Sequence, residues 1–314
     1  MGTVVNQIVH GADARGATLA ALREVRRLEA LMSRFSPRSD VSRLNRAAGG
    51  KPVRLHPDAI RVLAKALEVS RLSGGAFDIT ASPLVSLWKV TSDSPALPPE
   101  DAIKQARRLV DYRCLTVDER SGTASLRDSG QMVDLGGIAK GYAADRALDI
   151  YRKRHVASAM IDLGGNIAVL GPKEDGSPWN VGIQDPDAPR GECLGVLSVV
   201  GKSVVTSGDY ERFFEVDGQR YHHIVDPRTG YPAESGLRSV TVVASSSMTA
   251  DALSTALFVL GLERGLELLR TINAEASSED VEALFITAER NVYITPGLVP
   301  SFASTLISPA IVQI

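Results

Sequence analysis

The segment at residues 239–270 restricts most strongly how this chain can fold. It begins with a run rich in β-branched residues at 240–244, which is typical of a strand. Serines follow, which favour a helix start, and apolar residues then recur at helical spacing, namely Met248, Leu253, Leu257 and Leu260. The segment therefore predicts a strand that leads directly into a helix, with the helical pattern continuing to residue 270.

Two oxygen-bearing side chains, Asp251 and Thr255, stand four residues apart near the start of this helix. Residues at that spacing share one helix face. A carboxylate and a hydroxyl suit a hard cation such as Mg²⁺, which keeps waters and substrate phosphates as its other ligands. The simpler alternative is that Asp251 complements the helix dipole while Thr255 fills the edge of the core. From this pair alone, both interpretations stay open.

The composition indicates a globular protein with one large domain or two interlocked ones. The chain has 314 residues, of which 44% are hydrophobic and 23% are charged. Its formal net charge of -2 argues against nucleic acid as the main partner, because phosphate binding normally needs a basic surface. The two cysteines, Cys114 and Cys193, lack the spacing of a metal site or a disulfide framework.

Targeting signals and membrane spans are not visible in the sequence. No apolar run approaches the length of a membrane-spanning helix. Residues 1–10 show no basic segment followed by an apolar one, which a secretory signal peptide would have. We therefore expect a cytoplasmic location as the sequence stands, with a periplasmic or other extracytoplasmic location as the alternative if a leader has been removed.

The sequence repeats one short pattern, an apolar strand that ends in Asp-Leu-Gly-Gly, at 132–137 and again at 160–165. Residues 138–154 between the two copies predict a helix. A strand, a glycine turn and a helix start form a favourable place for an anion, because free N–H groups point outward there. Lys140 would oppose the helix dipole in that first turn, which makes sense if an anion lies beside it. Alternatively, the copies are two similar turns, and Asp134 and Asp162 only cap strand ends.

A predicted hairpin at residues 213–221, with its turn at Asp217 and Gly218, leads to two adjacent histidines. Neighbouring residues of a strand point to opposite faces, so at most one of His222 and His223 could serve a given site. The turn chemistry of Asp-Pro-Arg-Thr-Gly follows at 226–230. The simpler alternative is that His223 is an ordinary polar strand residue.

Taken in order, these motifs resemble the ApbE family of FAD:protein FMN transferases. The resemblance runs from Met1 to about residue 296 and covers nearly the whole chain. The motifs that carry it lie at residues 32–45, 73–80, 133–144, 162–166, 206–210, 223–232 and 250–256. Each motif is weak alone, but their common order makes coincidence an unattractive explanation.

The resemblance implies an enzyme that binds FAD with Mg²⁺ and moves FMN onto a Ser or Thr hydroxyl of an acceptor flavoprotein, releasing AMP. It also implies an α+β fold of the T-fold-like type, with mixed sheets and packed helices. Residues 1–314 would form a single domain of two closely joined lobes, with FAD in the cleft between them. FAD is then a substrate, and the acceptor flavoprotein is the partner.

The resemblance also implies roles for individual residues. The metal would be held by Asp251, Thr255 and the backbone carbonyl of Gly137. The catalytic residues would be His223 and Asp251. The FAD site would be lined by Met1, Phe35, Ala76, Phe77, Asp78, Asp134, Lys140 and Val225.

These residue types suit the cleavage of a diphosphate. Mg²⁺ and Lys140 would neutralise charge on the phosphate oxygens, and His223 would accept the proton of the incoming hydroxyl, with Asp226 as a candidate orienting partner. One alternative is an FAD pyrophosphatase, in which water replaces the protein hydroxyl. Another is a flavin carrier without turnover, against which the intact metal pair and histidine argue.

Overall fold

The computed structural model describes residues 2–90, 95–275, 281–305 and 311–314. The helices are α1 (Ala14–Met32), α2 (Asp40–Arg46), α3 (Pro57–Leu72), α4 (Ser82–Trp88), α5 (Glu100–Arg107), α6 (Ala139–Lys153), α7 (Ser247–Leu260) and α8 (Leu262–Glu275). The strands are β1 (Val5–His10), β2 (Val53–Arg54), β3 (Leu115–Asp118), β4 (Thr123–Leu126), β5 (Ser158–Leu163), β6 (Asn166–Leu170), β7 (Trp179–Gln184), β8 (Cys193–Val199), β9 (Ser203–Gly208), β10 (Phe213–Val216), β11 (Gln219–His222), β12 (Leu237–Ala244), β13 (Glu282–Thr287), β14 (Val292–Ile294), β15 (Phe302–Ser304) and β16 (Ile311–Gln313).

The main sheet has eight strands in the order β1-β5-β6-β9-β12-β13-β14-β16. Its strand pairs are antiparallel except for β14 and β16, which run parallel. Smaller sheets are formed by β15-β8-β7, by β2-β4-β3 and by the hairpin β10-β11. Several sheets together with packed helices confirm the predicted α+β class.

Strand β12 lies inside the main sheet and is buried on both faces. Val240 and Val242 belong to the large core that also contains Leu253 and Leu257 of α7. Val243 points the other way, into a second core with residues of β7, β8, β9 and β13. This alternation follows from the two-residue period of a strand. The main sheet is therefore covered by helices on one face and by the β15-β8-β7 sheet on the other.

The predicted passage from strand to helix is confirmed, but the helical pattern is broken once. The Ser246 hydroxyl caps α7 by accepting a hydrogen bond from the N–H of Thr249. Helix α7 ends before Gly261, whose φ of 79° lies in the left-handed region that favours glycine. The residues predicted as helical up to 270 are helical, but those after Gly261 belong to a separate helix, α8, which begins at Leu262.

The two copies of the repeated pattern differ in backbone structure. The second copy ends strand β5, as the sequence predicts. The first copy is not a strand, and Met132 forms only an isolated parallel bridge with Ala81. Within the described ranges, we find no helix with the length and hydrophobicity needed to span a bilayer.

Candidate active site

The starts of helices α6 and α7 lie against each other, and each is capped by an aspartate of the other helix. Asp251 of α7 accepts a hydrogen bond from the backbone N–H of Gly141, with N and Oδ2 2.9 Å apart. Asp145 of α6 accepts from the N–H groups of Ser247 and Met248, at 2.7 and 3.0 Å. Unpaired N–H groups and the positive end of the dipole make each helix start favourable for a carboxylate.

Gly141 lets the two helices approach so closely. A Cβ atom at this position would lie 2.2 Å from the carbonyl oxygen of Ser247. A side chain does not fit at that distance, because the obstructing atom belongs to the backbone and cannot turn aside. The absence of a side chain at Gly141 thus brings its neighbour Lys140 within reach of Asp251.

The ammonium group of Lys140 binds the same carboxylate. Its Nζ lies 2.9 Å from Oδ1 of Asp251 and 3.2 Å from the carbonyl oxygen of Gly136. Asp251 is only 3% exposed, and a buried carboxylate needs partners that compensate for its lost hydration. The sequence predicts an anion beside Lys140, and in the structure the protein itself supplies one.

The other two predicted metal ligands, Gly137 and Thr255, lie close together. A Cβ atom built on Gly137 would lie 3.5 Å from Oγ1 of Thr255 and 3.2 Å from the ring of Phe77. The Thr255 hydroxyl lies 3.3 Å from the hydroxyl of Ser207, on strand β9. Thr255 is one helical turn along α7 from Asp251, so both side chains lie on the same face of the helix. The Asp251 carboxylate and the Thr255 hydroxyl therefore both lie near the start of α6.

This set of oxygen atoms is compatible with a magnesium ion. Asp251 offers a carboxylate, Thr255 offers a hydroxyl, and Gly137 offers a backbone carbonyl. Mg²⁺ is usually held by one or two carboxylates and completes its octahedron with waters and substrate phosphates. Among the described residues, no group of three or more His, Cys, Asp and Glu side chains could hold a metal.

Asp134 of the first Asp-Leu-Gly-Gly turn links that turn to the end of α1. Its Oδ1 accepts a hydrogen bond from the N–H of Gly136 at 2.9 Å, and its Oδ2 lies 2.8 Å from Nε of Arg34. The same guanidinium lies 4.4 Å from the centre of the Phe35 ring. Phe35 is 78% exposed, although large aromatic side chains are mostly buried. Its contact with the guanidinium is a cation–π interaction.

The loop after α3, which holds Ala76, Phe77 and Asp78, lies beside this turn. The N–H of Asp134 donates to the carbonyl oxygen of Ile79 at 2.8 Å. Ala76 and Phe77 are buried. The Asp78 carboxylate accepts hydrogen bonds from the N–H and hydroxyl of Thr80 in the same loop and from the N–H of Tyr112, and burial raises its pKa.

Two predicted flavin-lining residues are placed differently. The side chain of Val225 packs in a small apolar cluster with Leu84 and Trp88, so its side chain already has protein neighbours. Met1 lies outside the described residues.

The adjacent histidines have different environments. His222 is buried and uses both ring nitrogens, since Nε2 donates to the carbonyl oxygen of Ala233 at 3.1 Å and Nδ1 accepts from the N–H of Ile224 at 3.2 Å. His223 is half-buried, and its Nδ1 lies 3.3 Å from the carbonyl oxygen of Arg212. Because a carbonyl oxygen only accepts, Nδ1 of His223 carries the proton and Nε2 is the basic nitrogen.

The charge environment keeps His223 neutral. Burial, followed by the positive charge of Arg212, lowers the pKa of His223 to about 4. The ammonium of Lys140 acts in the same direction, so the imidazole is within electrostatic reach of the first turn. A histidine with this pKa is unprotonated near pH 7 and can accept a proton.

Asp226 does not orient His223, and that prediction is wrong. Its carboxylate instead accepts hydrogen bonds from Arg228, at 2.9 Å to Nε and 2.8 Å to Nη2. The N–H of Gly230 donates to the carbonyl oxygen of Asp226, which closes the predicted turn. Asp226 is thus committed to its own loop, and the partner of His223 is the backbone of Arg212.

Four polar residues around the site, Arg34, Asn45, Asp145 and Ser207, are missing from the predicted site residues. Asn45 holds the backbone of Val133 by donating from Nδ2 to O at 3.0 Å and accepting from N–H at 2.8 Å. Arg34, Asn45 and Ser207 lie inside motifs that the sequence already singles out. Asp145 could be noticed only as an acid between apolar positions of the predicted helix.

A separate cavity of about 460 Å³ lies on the His222 side of the hairpin. Its lining includes Arg220, Tyr231, Ser235 and Arg238, and none of the predicted site residues. The predicted site residues at the helix starts are therefore distinct from the lining of this cavity.

Comparison with known sequences identifies close relatives over most of the chain. The model of the ApbE family matches residues 1–285. A Treponema pallidum (strain Nichols) protein named FAD:protein FMN transferase is 39% identical, and the matched region covers 95% of this chain and 86% of that protein. A Klebsiella pneumoniae (strain 342) protein of the same name is 37% identical over 271 residues, which cover 86% of this chain and 82% of that protein.

Solved structures agree with these sequences. The crystal structure of the ApbE protein from Thermotoga maritima has a TM-score of 0.84 and 32% identity, and covers 93% of each chain. The flavin transferase ApbE from Vibrio cholerae has a TM-score of 0.83 and 30% identity, and covers 96% of each chain. The resemblance predicted from the motifs is therefore confirmed, and this chain belongs to the ApbE family.

Proposed function

We propose that this protein transfers FMN from FAD to a hydroxyl group of an acceptor protein and releases AMP. The observation that carries the proposal is the buried Asp251 carboxylate, which meets Lys140 and the start of α6 beside Thr255 and Gly137. Relatives that match most of the chain are named FAD:protein FMN transferase, which supports the same activity.

Asp251, Thr255 and the carbonyl of Gly137 would hold Mg²⁺ in this proposal. When bound, the ion would neutralise charge on the diphosphate oxygens and stabilise the leaving phosphate of AMP. The ammonium of Lys140 and the N–H groups at the start of α6 add positive potential of their own.

The FAD site in this proposal extends from the first turn to the end of α1. Phe35 supports this extent, because its ring is exposed on one side and backed by the Arg34 guanidinium on the other. An exposed ring held in this way suits stacking against an aromatic ligand. The lining would comprise Met1, Phe35, Ala76, Phe77, Asp78, Asp134, Lys140 and Val225. Residues 1–314 would act as one domain, with FAD in a cleft between two lobes.

The transfer step needs a base for the incoming hydroxyl. Nε2 of His223 would accept that proton as the hydroxyl oxygen bonds to the FMN phosphorus. The bond from this phosphorus to the AMP phosphate oxygen breaks in the same displacement, so AMP leaves with the electron pair. The imidazole is neutral near pH 7, which supports this role. A base of this kind suits an alcohol, so we propose Ser or Thr of an acceptor flavoprotein as the nucleophile. The cytoplasmic location stays a prediction.

The test is incubation of the protein with FAD, Mg²⁺ and a candidate acceptor flavoprotein, followed by intact-mass measurement. We expect the acceptor to gain the mass of FMN less one water, with one AMP released per modified acceptor. Omission of Mg²⁺ should stop both products.

The outcomes that contradict this function are distinct. Free FMN and AMP without acceptor modification would mean that water is the nucleophile and that the protein is an FAD pyrophosphatase. Intact FAD after prolonged incubation with Mg²⁺ and several acceptors would mean a flavin carrier without turnover.

A further inference from the structure

Each carboxylate oxygen of Asp251 already has a partner in the structure. Lys140 Nζ lies 2.9 Å from its Oδ1, and the Gly141 N–H donates to its Oδ2 at 2.9 Å. With 3% exposure, the carboxylate has almost no water to replace a lost partner. Any cation that binds Asp251 must therefore either share it with Lys140 or displace Lys140.

Sharing is unfavourable on two grounds. An ammonium and a divalent ion on one carboxylate would repel each other at short range, in a site with little water to screen them. Lys140 also lies in the first turn of α6, where the helix dipole disfavours a positive charge. A divalent ion on Asp251 would therefore deprive Lys140 of its counter-charge. The ammonium group of Lys140 would then need another anion.

The Lys140 side chain is free to make such a movement. It is 25% exposed, unlike its buried partner. Its four-carbon stem is flexible, and its remaining short contact is to the carbonyl oxygen of Gly136, at 3.2 Å, which lies in the same turn. A diphosphate bound at the start of α6 would offer the required anion within reach of the same stem.

We infer that Lys140 occupies the cation position on Asp251 in the metal-free protein and that divalent metal and diphosphate bind cooperatively by moving Lys140 from the carboxylate to the phosphate. This inference rests on the proposed function, since it takes the metal and FAD to share this site. Lys140 would thus keep the affinity for metal low until the nucleotide is present. Metal without diphosphate would compete with an internal ammonium, and metal with diphosphate would not.

The experiment measures Mn²⁺ binding by electron paramagnetic resonance, without acceptor protein, in the absence and presence of FAD. The variant Lys140→Met removes the internal cation, and Lys65→Met is its matched control. Lys65 of α3 also makes an ion pair, at 2.8 Å to Glu68, and its side chain is 21% exposed. In the wild-type protein, we expect FAD to tighten Mn²⁺ binding by roughly 5- to 150-fold, the usual range for coupled sites.

Lys140→Met should bind Mn²⁺ more tightly than the wild type when FAD is absent, and FAD should tighten its Mn²⁺ binding much less. Lys65→Met should behave as the wild type does. If Lys140→Met binds Mn²⁺ no more tightly than the wild type, or FAD tightens Mn²⁺ equally in both proteins, the inference is wrong.

Two further measurements keep the test decisive. Lys140→Gln retains a hydrogen-bond donor toward Asp251, so it replaces Lys140→Met if the latter does not fold. ADP can replace FAD in the wild-type titration, because it carries the diphosphate alone, and an absence of coupling with both nucleotides would overturn the inference. FMN transfer by the wild-type protein without such coupling would refute the exchange of Lys140 and leave the proposed function intact.

Discussion

The sequence Asp-Leu-Gly-Gly occurs at 134–137 and at 162–165, and the two copies fold into different turns. In the second turn, Gly164 and Gly165 have positive φ angles of 66° and 88°, which favour glycine. In the first turn, neither glycine lies in that region. Gly137 is instead close to the Phe77 ring and the Thr255 hydroxyl. One turn needs glycine for its backbone, and the other needs glycine for the space beside it.

The two turns also contact helix α7 differently. After the second turn, Asn166 accepts a hydrogen bond from the hydroxyl of Ser247 at 2.7 Å, a neutral contact that is fully buried. After the first turn, Lys140 forms an ion pair with Asp251. Equal sequences thus support a packing contact in one place and a concentration of charge in the other. We therefore propose that the chemistry belongs to the first turn, where a helix start follows the glycines.

The largest expected effect concerns His223, which is within electrostatic reach of Lys140 after the first turn. His223→Ala should slow FMN transfer by roughly 10²–10⁴-fold, because a general base is lost. FAD affinity should change little. Single-turnover transfer rates and an FAD titration measure the two quantities. Transfer at the wild-type rate would mean that His223 has no role in the mechanism.

A slightly smaller loss is expected when Asp251 is changed, and the second turn provides the matched control. Asp251→Asn removes the carboxylate that would hold the metal, which is worth several kcal/mol, and transfer should fall by roughly 10²–10³-fold. Asp162→Asn alters a side chain that accepts from the N–H of Gly165 at 2.7 Å and from Nδ2 of Asn6 at 3.3 Å. It should keep nearly the wild-type rate in the same Mg²⁺ titration. Equal losses in both variants would break the comparison.

Alanine in the two turns should separate activity from stability. Gly137→Ala adds a methyl group 3.2 Å from the Phe77 ring, which should lower transfer by about tenfold through misplaced site groups while stability changes little. Gly165→Ala has open space but must adopt a positive φ, which costs roughly 1–2 kcal/mol of stability. Its transfer rate per folded molecule should stay unchanged. Urea denaturation and transfer assays on both variants measure the two quantities. A loss of stability in Gly137→Ala together with a loss of transfer in Gly165→Ala would contradict the prediction.

A last expected effect, on stability and not on transfer, is the pH dependence of unfolding. The pKa of His223 is lowered to about 4 in the folded protein, whereas an unfolded histidine has a pKa of about 6.5. The unfolded state therefore binds this proton first, and the histidine destabilises the fold as the pH falls from about 6.5 to 4. His223→Ala should lose less stability than the wild type over that interval. Urea midpoints at neutral and acidic pH measure this, and parallel curves would contradict the low pKa.

Local features of the fold could be predicted from the sequence. The β12–α7 passage and the turn at Asp217 and Gly218 depend on neighbouring residues, so propensity and turn chemistry were sufficient. The first copy of the repeat was predicted as a strand and is not one, because its backbone bonds go to the loop at Ile79 and to Asn45. Such contacts are set by tertiary structure and leave no local pattern.

The sequence predicted which residues belong to the candidate site better than it predicted the contacts between them. Motif resemblance selected Lys140 and Asp251 separately, but they are 111 residues apart, and nothing in either motif says that they form an ion pair. The pairing depends on the close approach at Gly141, which is a property of two packed helices. For the same reason, the sequence suggested Asp226 as the partner of His223, although Asp226 binds Arg228.

The most direct test of the central claim is a crystal structure with Mn²⁺ and FAD, in which the anomalous signal locates the metal. We propose that metal and diphosphate meet at the first turn and not at the second. We expect the Mn²⁺ peak beside Asp251 and Thr255, with the diphosphate at the start of α6 and Lys140 turned toward it. A Mn²⁺ peak at Asp162, or a diphosphate bound away from α6, would contradict the account.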